Sequence, residues 1–456
     1  MNILSTRLFT WRQILTLTAA FVAVVVVIQR SLRYVCANWV EFDCPYYWPV
    51  SIFSFRVPGA FDLVVAGAVA LAFYFGMRLL EGKEYRLVLT IGLGVLLIAG
   101  STLIHGVEVG YYTPISGDAR SGVLIPNSRD GQEYYHDALK IADPADFFRR
   151  YNEVQPTLSS HGHTHPPGAV LAFYYLEKVF GDPAMIAIFI LFASTIPSVY
   201  FVYRLMSTEV NGELAGYMAF LFVLLPAVQI YYLATIDAVV VSLIMGVLYL
   251  FCFDERRWAM AGAVVLVAGS FMLTFVTLFI VPVLVGFDLL IRRSLRRSVI
   301  VLGSVGLFYA LLYLLTGYNA FLSFRTASHY ENPLGFMLFV DPANYFFTRI
   351  EDVAEILFFF GPFLLVLFIR GIRRMRFRPL DVLTVLGCIS LLGMYVTGAW
   401  RTGETARACA FIYPFLLFPI ARYLHEQNAG QDERMQLATL VFVQSLAMQT
   451  FGNYHW

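Results

Sequence analysis

Apolar runs long enough to cross a lipid bilayer recur along almost the whole chain, and no other feature constrains its fold as much. The hydrocarbon core is about 30 Å thick and a helix rises about 1.5 Å per residue, so one crossing needs about 17–25 largely apolar residues. Thirteen such runs can be placed, at roughly 12–29, 61–80, 87–104, 183–204, 214–233, 238–253, 258–274, 275–291, 298–315, 353–369, 380–397, 408–424 and 435–451. The stretch 258–291 is long enough for two passes and divides near Thr274. Composition agrees: 14% of the 456 residues are charged, against about 25% in soluble domains. The expectation is an all-α polytopic membrane protein, a single integral-membrane domain over 1–456 with about 13 transmembrane helices. The opening run lacks a small-x-small cleavage site soon after Ile28, so it reads as a retained helix.

Charge sets the orientation and removes several function classes. With 32 Lys+Arg against 31 Asp+Glu there is no basic excess to recruit nucleic acid. Nineteen of the 32 basic residues, including Arg292–Arg297 and Arg370–Arg378, fall in short segments on one side if the amino terminus is inside. This matches the positive-inside rule, and anionic headgroups suit those clusters. It places the amino terminus in the cytoplasm of a multi-pass cell-membrane protein, with the carboxy terminus and the loops 105–182 and 316–352 outside. No GxxxxGK[ST] loop and no βαβ alternation is present, so a nucleotide-binding domain is not expected. The five cysteines make no CxxC site, although Cys36 and Cys44 could pair in an oxidising compartment.

The segment 105–168 differs from the rest of the chain. It holds five of the eight histidines and eight acids against five Lys+Arg, and a connection of that length between membrane helices is functional or disordered. Its aromatic content argues for order. A helix is expected over Gln132–Ile141, with Tyr135, Leu139 and Ile141 facing apolar surroundings. Ala169–Phe180 is too short to span and suits an interfacial helix. Asp130, four residues before Tyr134, reads either as a helix N-cap or as a carboxylate available for proton transfer. His161, His163 and His165 in HGHTHPPG read either as a metal-chelating set, which leaves a divalent cation possible, or as a rigid turn fixed by Pro166 and Pro167. No metal ligand is assigned.

The order RDGQEYYHDALKI, then HTHPPGAVLAFYYLEKVFG, then YYLATIDAVVVSLIMGVLYLF resembles integral-membrane glycosyltransferases of the GT-C fold, nearest the protein O-mannosyltransferases and lipid A aminoarabinose transferases of the family 39 type. The matching positions are Asp130/Tyr134, His165–Pro167 and Thr235–Ala238, within roughly residues 100–290. The chain departs from that branch at Gly131, where an Asp-Glu pair is usual, at Gly168, where Leu is usual, and in one additional amino-terminal helix.

The resemblance implies a GT-C-like bundle whose first outer loop is catalytic. It implies a polyprenyl-phosphate sugar as donor, and a lipid, glycan or protein as acceptor, on the extracytoplasmic or lumenal face. Transfer would be an inverting single displacement with Asp130 as base and Glu133 as its rival. Tyr134, His163, His165 and Asp237 would line the substrate site, although Asp237 also reads as an N-cap. A departing phosphate needs cations on the outer side. Arg401 and Arg407 in TGAWRTGETARACAFIYPF read either as those cations, with Glu404 beside them in the substrate site, or as snorkelling side chains with Glu404, three residues before Arg407, as an ordinary ion-pair partner. Arg325 and His329 are second candidates, while Tyr231 and Tyr232 suit the outer aromatic belt. Two rival classes are a transporter or flippase and a His-metal membrane hydrolase.

Overall fold

The computed structural model describes residues 8–39, 55–80, 87–117, 133–400 and 404–452. Asp130, Arg401 and Cys44 lie outside the described residues, so the assignments of Asp130 and Arg401 and the Cys36–Cys44 pairing do too. Of the described residues 83% are helical, and none of them forms a strand. Among the described residues seven helices are long and apolar enough to cross a membrane: Trp11–Ser31, Ala60–Leu80, Leu87–His105, Pro183–Met206, Phe275–Arg292, Arg296–Thr316 and Pro379–Val396. An eighth crossing is added if Pro342–Phe360 and Pro362–Ile372, which meet at 101°, form one broken span. The chain is thus an all-α polytopic membrane protein, and the expected count of thirteen is not reached.

The difference has a physical source. The run 214–233 divides into Gly212–Val223 and Pro226–Tyr231, because Pro226 has no N–H and disfavours a helical residue before it. The run 408–424 shortens to Tyr413–Glu426, a helix buried on nearly every side. These segments are apolar because other helices surround them, and a sequence cannot distinguish burial in protein from burial in lipid. Ile236–Cys252 and Arg257–Leu273 are 17-residue helices. The division near Thr274 is present: Thr274 ends one helix and its hydroxyl accepts from the Val276 N–H at the start of the next.

Tyr231 and Tyr232 are both buried rather than placed in an aromatic belt; Tyr232 meets Ser198 at 3.3 Å and Tyr231 packs on Phe359. The break before Pro226 frees carbonyls that polar side chains then meet. Gln229 donates to the Val223 carbonyl at 2.8 Å, Ser445 donates to the Leu224 carbonyl, and Gln449 donates to the Gln229 carbonyl at 3.0 Å. Such side chains join helices that have no hydrophobic reason to prefer each other over lipid.

One end of the bundle is tied by arginines. Arg292 donates to the Phe251 and Cys252 carbonyls at 2.6 and 2.8 Å, at the end of the Ile236–Cys252 helix, and Arg297 reaches the Phe251 carbonyl. Arg422 pairs with Asp381, which also accepts from the Arg376 and Arg378 N–H groups. Part of the basic bias therefore serves helix C-termini, whose carbonyls carry negative partial charge.

The segment 105–182 is ordered wherever it is described. Short helices run at Glu133–Ala138, Pro144–Arg149, Tyr151–Val154 and Ser160–Thr164, followed by Pro167–Phe180. Tyr135 is buried as expected, but Leu139 is exposed, because the first of these helices ends at Ala138. The segment 316–352 is less of a loop than expected: it contains the helix Ala320–Glu331 and the first half of Pro342–Phe360.

Gly168 is explained by contact. A Cβ there would lie 2.4 Å from the Met272 carbonyl oxygen, where Pro167–Phe180 crosses Arg257–Leu273. Backbone cannot yield as a side chain does, so Gly168→Leu should destabilise the protein in detergent by about 1–3 kcal/mol. A thermal-unfolding midpoint equal to that of the unsubstituted protein would contradict the crossing.

Candidate functional site

A cavity of about 810 Å³ opens where the ends of several helices meet the ordered loop. Its polar end is lined by Tyr134, His161, His165, Asp237, Glu404 and Arg407. Its apolar lining comes from Val276, Leu278 and Pro282 in the segment after Thr274 and from Ile389, Gly393 and Met394 on the Pro379–Val396 helix. Ile389 and Leu278 are 61% and 39% exposed, so this apolar wall reaches the surface of the bundle that would face lipid.

The loop histidines sit on a braced turn. Ser159 caps the Ser160–Thr164 helix by accepting from the Gly162 N–H. Buried Asp137 accepts from both the N–H and the hydroxyl of Ser159, at 2.9 and 2.6 Å. Tyr151 donates to the carbonyls of Gly162 and His165, and Gln155 to that of His163.

From the neighbouring helix, Glu133 receives the Ser160 hydroxyl at 2.6 Å, the His161 N–H at 2.7 Å and the His161 Nδ1 at 3.2 Å. Burial opposes the charge of Glu133, but its hydrogen bonds to His161 and Ser160 and the charge of His161 bring its pKa down to about 2. Glu133 supports this turn and is not itself part of the cavity lining.

The three histidines do not converge. His161 faces Glu133 and the cavity, while His165 has its Nδ1 on the His161 carbonyl at 3.0 Å. His163 does not line the cavity; it stacks on Tyr330 at 4.0 Å and ties the turn to the Ala320–Glu331 helix. No group of three or more His, Cys, Asp or Glu able to hold a metal occurs among the described residues. Burial, with His161 close by, lowers His165 to about 3. Tyr134 stands edge-on to both His161 and His165 and stacks on Phe173.

Asp237 is not an N-cap. Thr235 caps the Ile236–Cys252 helix, and Asp237, one residue inside it, approaches the Arg407 Nε at 3.5 Å. Arg407 also bonds Glu404 at 2.5 Å, which realises the three-residue spacing read from the sequence. Glu404 has φ of 66°, a left-handed conformation uncommon for a residue with a Cβ, and it lines the cavity. Arg325 and His329 are exposed on the Ala320–Glu331 helix and do not line the cavity, which removes Arg325 as an alternative cation there.

Sequence reasoning missed the residues that support Arg407 from behind. Glu355, fully buried, accepts from the Ala406 N–H at 2.9 Å, and the Thr405 hydroxyl donates to the Asp352 carbonyl at 2.9 Å. Arg349 pairs with Asp352 at 3.0 Å and donates to the carbonyls of Tyr395 and Trp400, holding the cavity-lining Trp400. The signal was present in RIEDVAEI (349–356), where acids three and four residues apart share a helix face. The apolar run that begins at 353 divides these acids, so they do not stand out as one helix face. No protein-family model matches this chain, and no curated protein matches it in sequence.

If Tyr151 fixes the histidine turn, Tyr151→Phe removes the one hydroxyl proton that the Gly162 and His165 carbonyls share, worth about 0.5–1.5 kcal/mol. Hydrogen exchange at amides 161–165 should then quicken roughly two- to tenfold. Exchange unchanged there would show that the turn is held by other contacts.

Proposed function

We propose that this protein is a membrane glycosyltransferase of the GT-C kind, moving a sugar from a polyprenyl-phosphate donor to an acceptor on the extracytoplasmic face. One observation supports this reading above the others: a single cavity joins a buried arginine to an apolar wall that reaches the lipid-facing surface. A lipid phosphate needs both surfaces at once. Arg407 meets the phosphate, and the polyprenyl chain lies along Val276, Leu278, Pro282, Ile389 and Met394.

Asp237 and Glu404 balance Arg407. An arriving phosphate must take over guanidinium hydrogen bonds from them, and Arg suits this exchange because its planar fork offers five donors. Phosphate then leaves as an anion, so no second carboxylate is needed as acid. The acceptor enters from the side of the ordered loop, where Tyr134, His161 and His165 lie. By resemblance, Asp130 is the carboxylate assigned to proton transfer in an inverting displacement. The inside amino terminus belongs to the same proposal.

A transporter or flippase is the second reading. It is favoured by the 101° bend at Gly361 and by the buried Glu351, Asp352 and Glu355, since broken helices and buried acids mark transport pathways. The two readings part on chemistry, because a flippase leaves the sugar–phosphate bond intact.

In nanodiscs supplied with a panel of undecaprenyl-phosphate sugars, the transferase reading expects release of undecaprenyl phosphate. Arg407→Gln should weaken undecaprenyl phosphate binding by about 10- to 100-fold, the worth of a charge-assisted contact. Release from no sugar, or unchanged binding in the variant, would remove the reading. Orientation has its own test: Glu153→Cys, an exposed position on the loop, should react with an impermeant thiol reagent in intact cells. Reaction only after permeabilisation would invert the topology.

A further inference from the structure

The cavity contains an imidazole whose carboxylate partner lies behind it. Three donors converge on one oxygen of Glu133, and one of them is the Nδ1 of His161 at 3.2 Å. In the neutral ring this fixes the proton on Nδ1 and leaves Nε2 as the basic nitrogen. The ring lines the cavity and is half-buried, and Tyr134 stands against its edge with centroids 5.9 Å apart. A carboxylate that fixes the tautomer of a cavity-facing imidazole and stabilises the imidazolium is a recurring arrangement for general-base catalysis.

We propose that His161, oriented by Glu133, is the catalytic base that takes the acceptor's proton. This rests on the transferase reading above and goes beyond it, because the resemblance assigns proton transfer to Asp130. The acceptor's O–H or N–H proton passes to His161 Nε2 while the acceptor atom bonds to the anomeric carbon. The bond from that carbon to the phosphate oxygen breaks, and its electron pair leaves on polyprenyl phosphate. The imidazolium is held against ionised Glu133 until it returns its proton to water.

The charged neighbours decide the pH at which this operates. Burial lowers the pKa of His161, but the Glu133 hydrogen bond, with the charges of Glu404 and Glu133, raises it, and Arg407 opposes them; the net direction is upward from 6.5. Asp237, from the Ile236–Cys252 helix, and His163 and His165, from its own turn, also act on it electrostatically. A base must be unprotonated, so the rate should climb with pH through a midpoint above 6.5. A carboxylate base would instead give a climb near its ordinary pKa of about 4. Removing the charge of Glu133 lowers the imidazole pKa and moves the climb to lower pH.

The test is the rate of undecaprenyl phosphate release from an accepted undecaprenyl-phosphate sugar over pH 3–9, in nanodiscs. The unsubstituted protein, His161→Gln, Glu133→Gln and Asp130→Asn are compared, with undecaprenyl phosphate binding as the measure of an intact site. Gln at 133 keeps an oxygen for Ser160 and the His161 N–H, so the turn persists without the charge. The proposal expects His161→Gln to lose about 10²-fold or more in rate while binding undecaprenyl phosphate within threefold of normal. It expects Glu133→Gln to shift the climb downward by half a pH unit or more. His161→Gln retaining a third of the rate, an unmoved climb in Glu133→Gln, or a climb near pH 4 abolished by Asp130→Asn would each overturn it. No release by the unsubstituted protein would sink the transferase reading and this assignment together, whereas release with an active His161→Gln sinks this assignment alone.

Discussion

In a bilayer every backbone N–H and C=O must find a partner within the protein, and the placement of irregular backbone in this fold follows from that requirement. Outer helices such as Arg296–Thr316 satisfy it by running unbroken. Helix breaks occur where other parts of the chain can meet the freed groups: at Leu225, covered by Gln229 and Ser445, and at Thr274, capped by its own hydroxyl. Backbone that departs from the α-helix at 274–279, at 397–400 and at Glu404 borders the cavity. Irregular backbone in a membrane protein is tolerated where it is buried in protein or lines a cavity, so the cavity and the broken helices are aspects of one solution.

The same economy governs charge. Arg407 would be costly beside an apolar wall without partners, and Glu404 and Asp237 supply them from two separate segments. The strained backbone at Glu404 is held from behind by Glu355 on Ala406 and by the Asp352 carbonyl on Thr405. Three layers thus stand in register: the Arg349–Glu355 helix turns, the 404–408 segment, and the cavity. A cation held by exchangeable carboxylates is suited to receive an anionic ligand and to recover its partners when that ligand leaves.

Much of this was legible in the sequence where the deciding interaction is local. The runs 61–80, 183–204 and 298–315 became helices within a few residues of their expected ends, because uniform apolarity over that length has one stable outcome in lipid. Thr274 marked its break, and Glu404 found Arg407 three residues away. Tyr134, His165, Asp237 and Arg407, nominated from four distant segments, line one cavity.

What failed to show depends on which helix comes opposite. Tyr231 and Tyr232 read as a belt but are buried, and His163 alternates with His161 yet leaves the site to stack on Tyr330. Arg325 shares a helix with cavity-lining Ala327 and Ser328 but projects from another face. The role of Glu355 required knowing that residue 406 lies against it.

The central claim is that the polar end of the cavity receives a lipid phosphate. The most direct measurement is an electron cryomicroscopy structure of the protein in nanodiscs with undecaprenyl phosphate bound. The account predicts phosphate density within hydrogen-bonding distance of the Arg407 guanidinium, about 2.7–3.2 Å, and isoprenoid density along Leu278, Pro282 and Ile389. Phosphate bound at the opposite end of the bundle, among Arg370–Arg378, with the cavity left open, would contradict it.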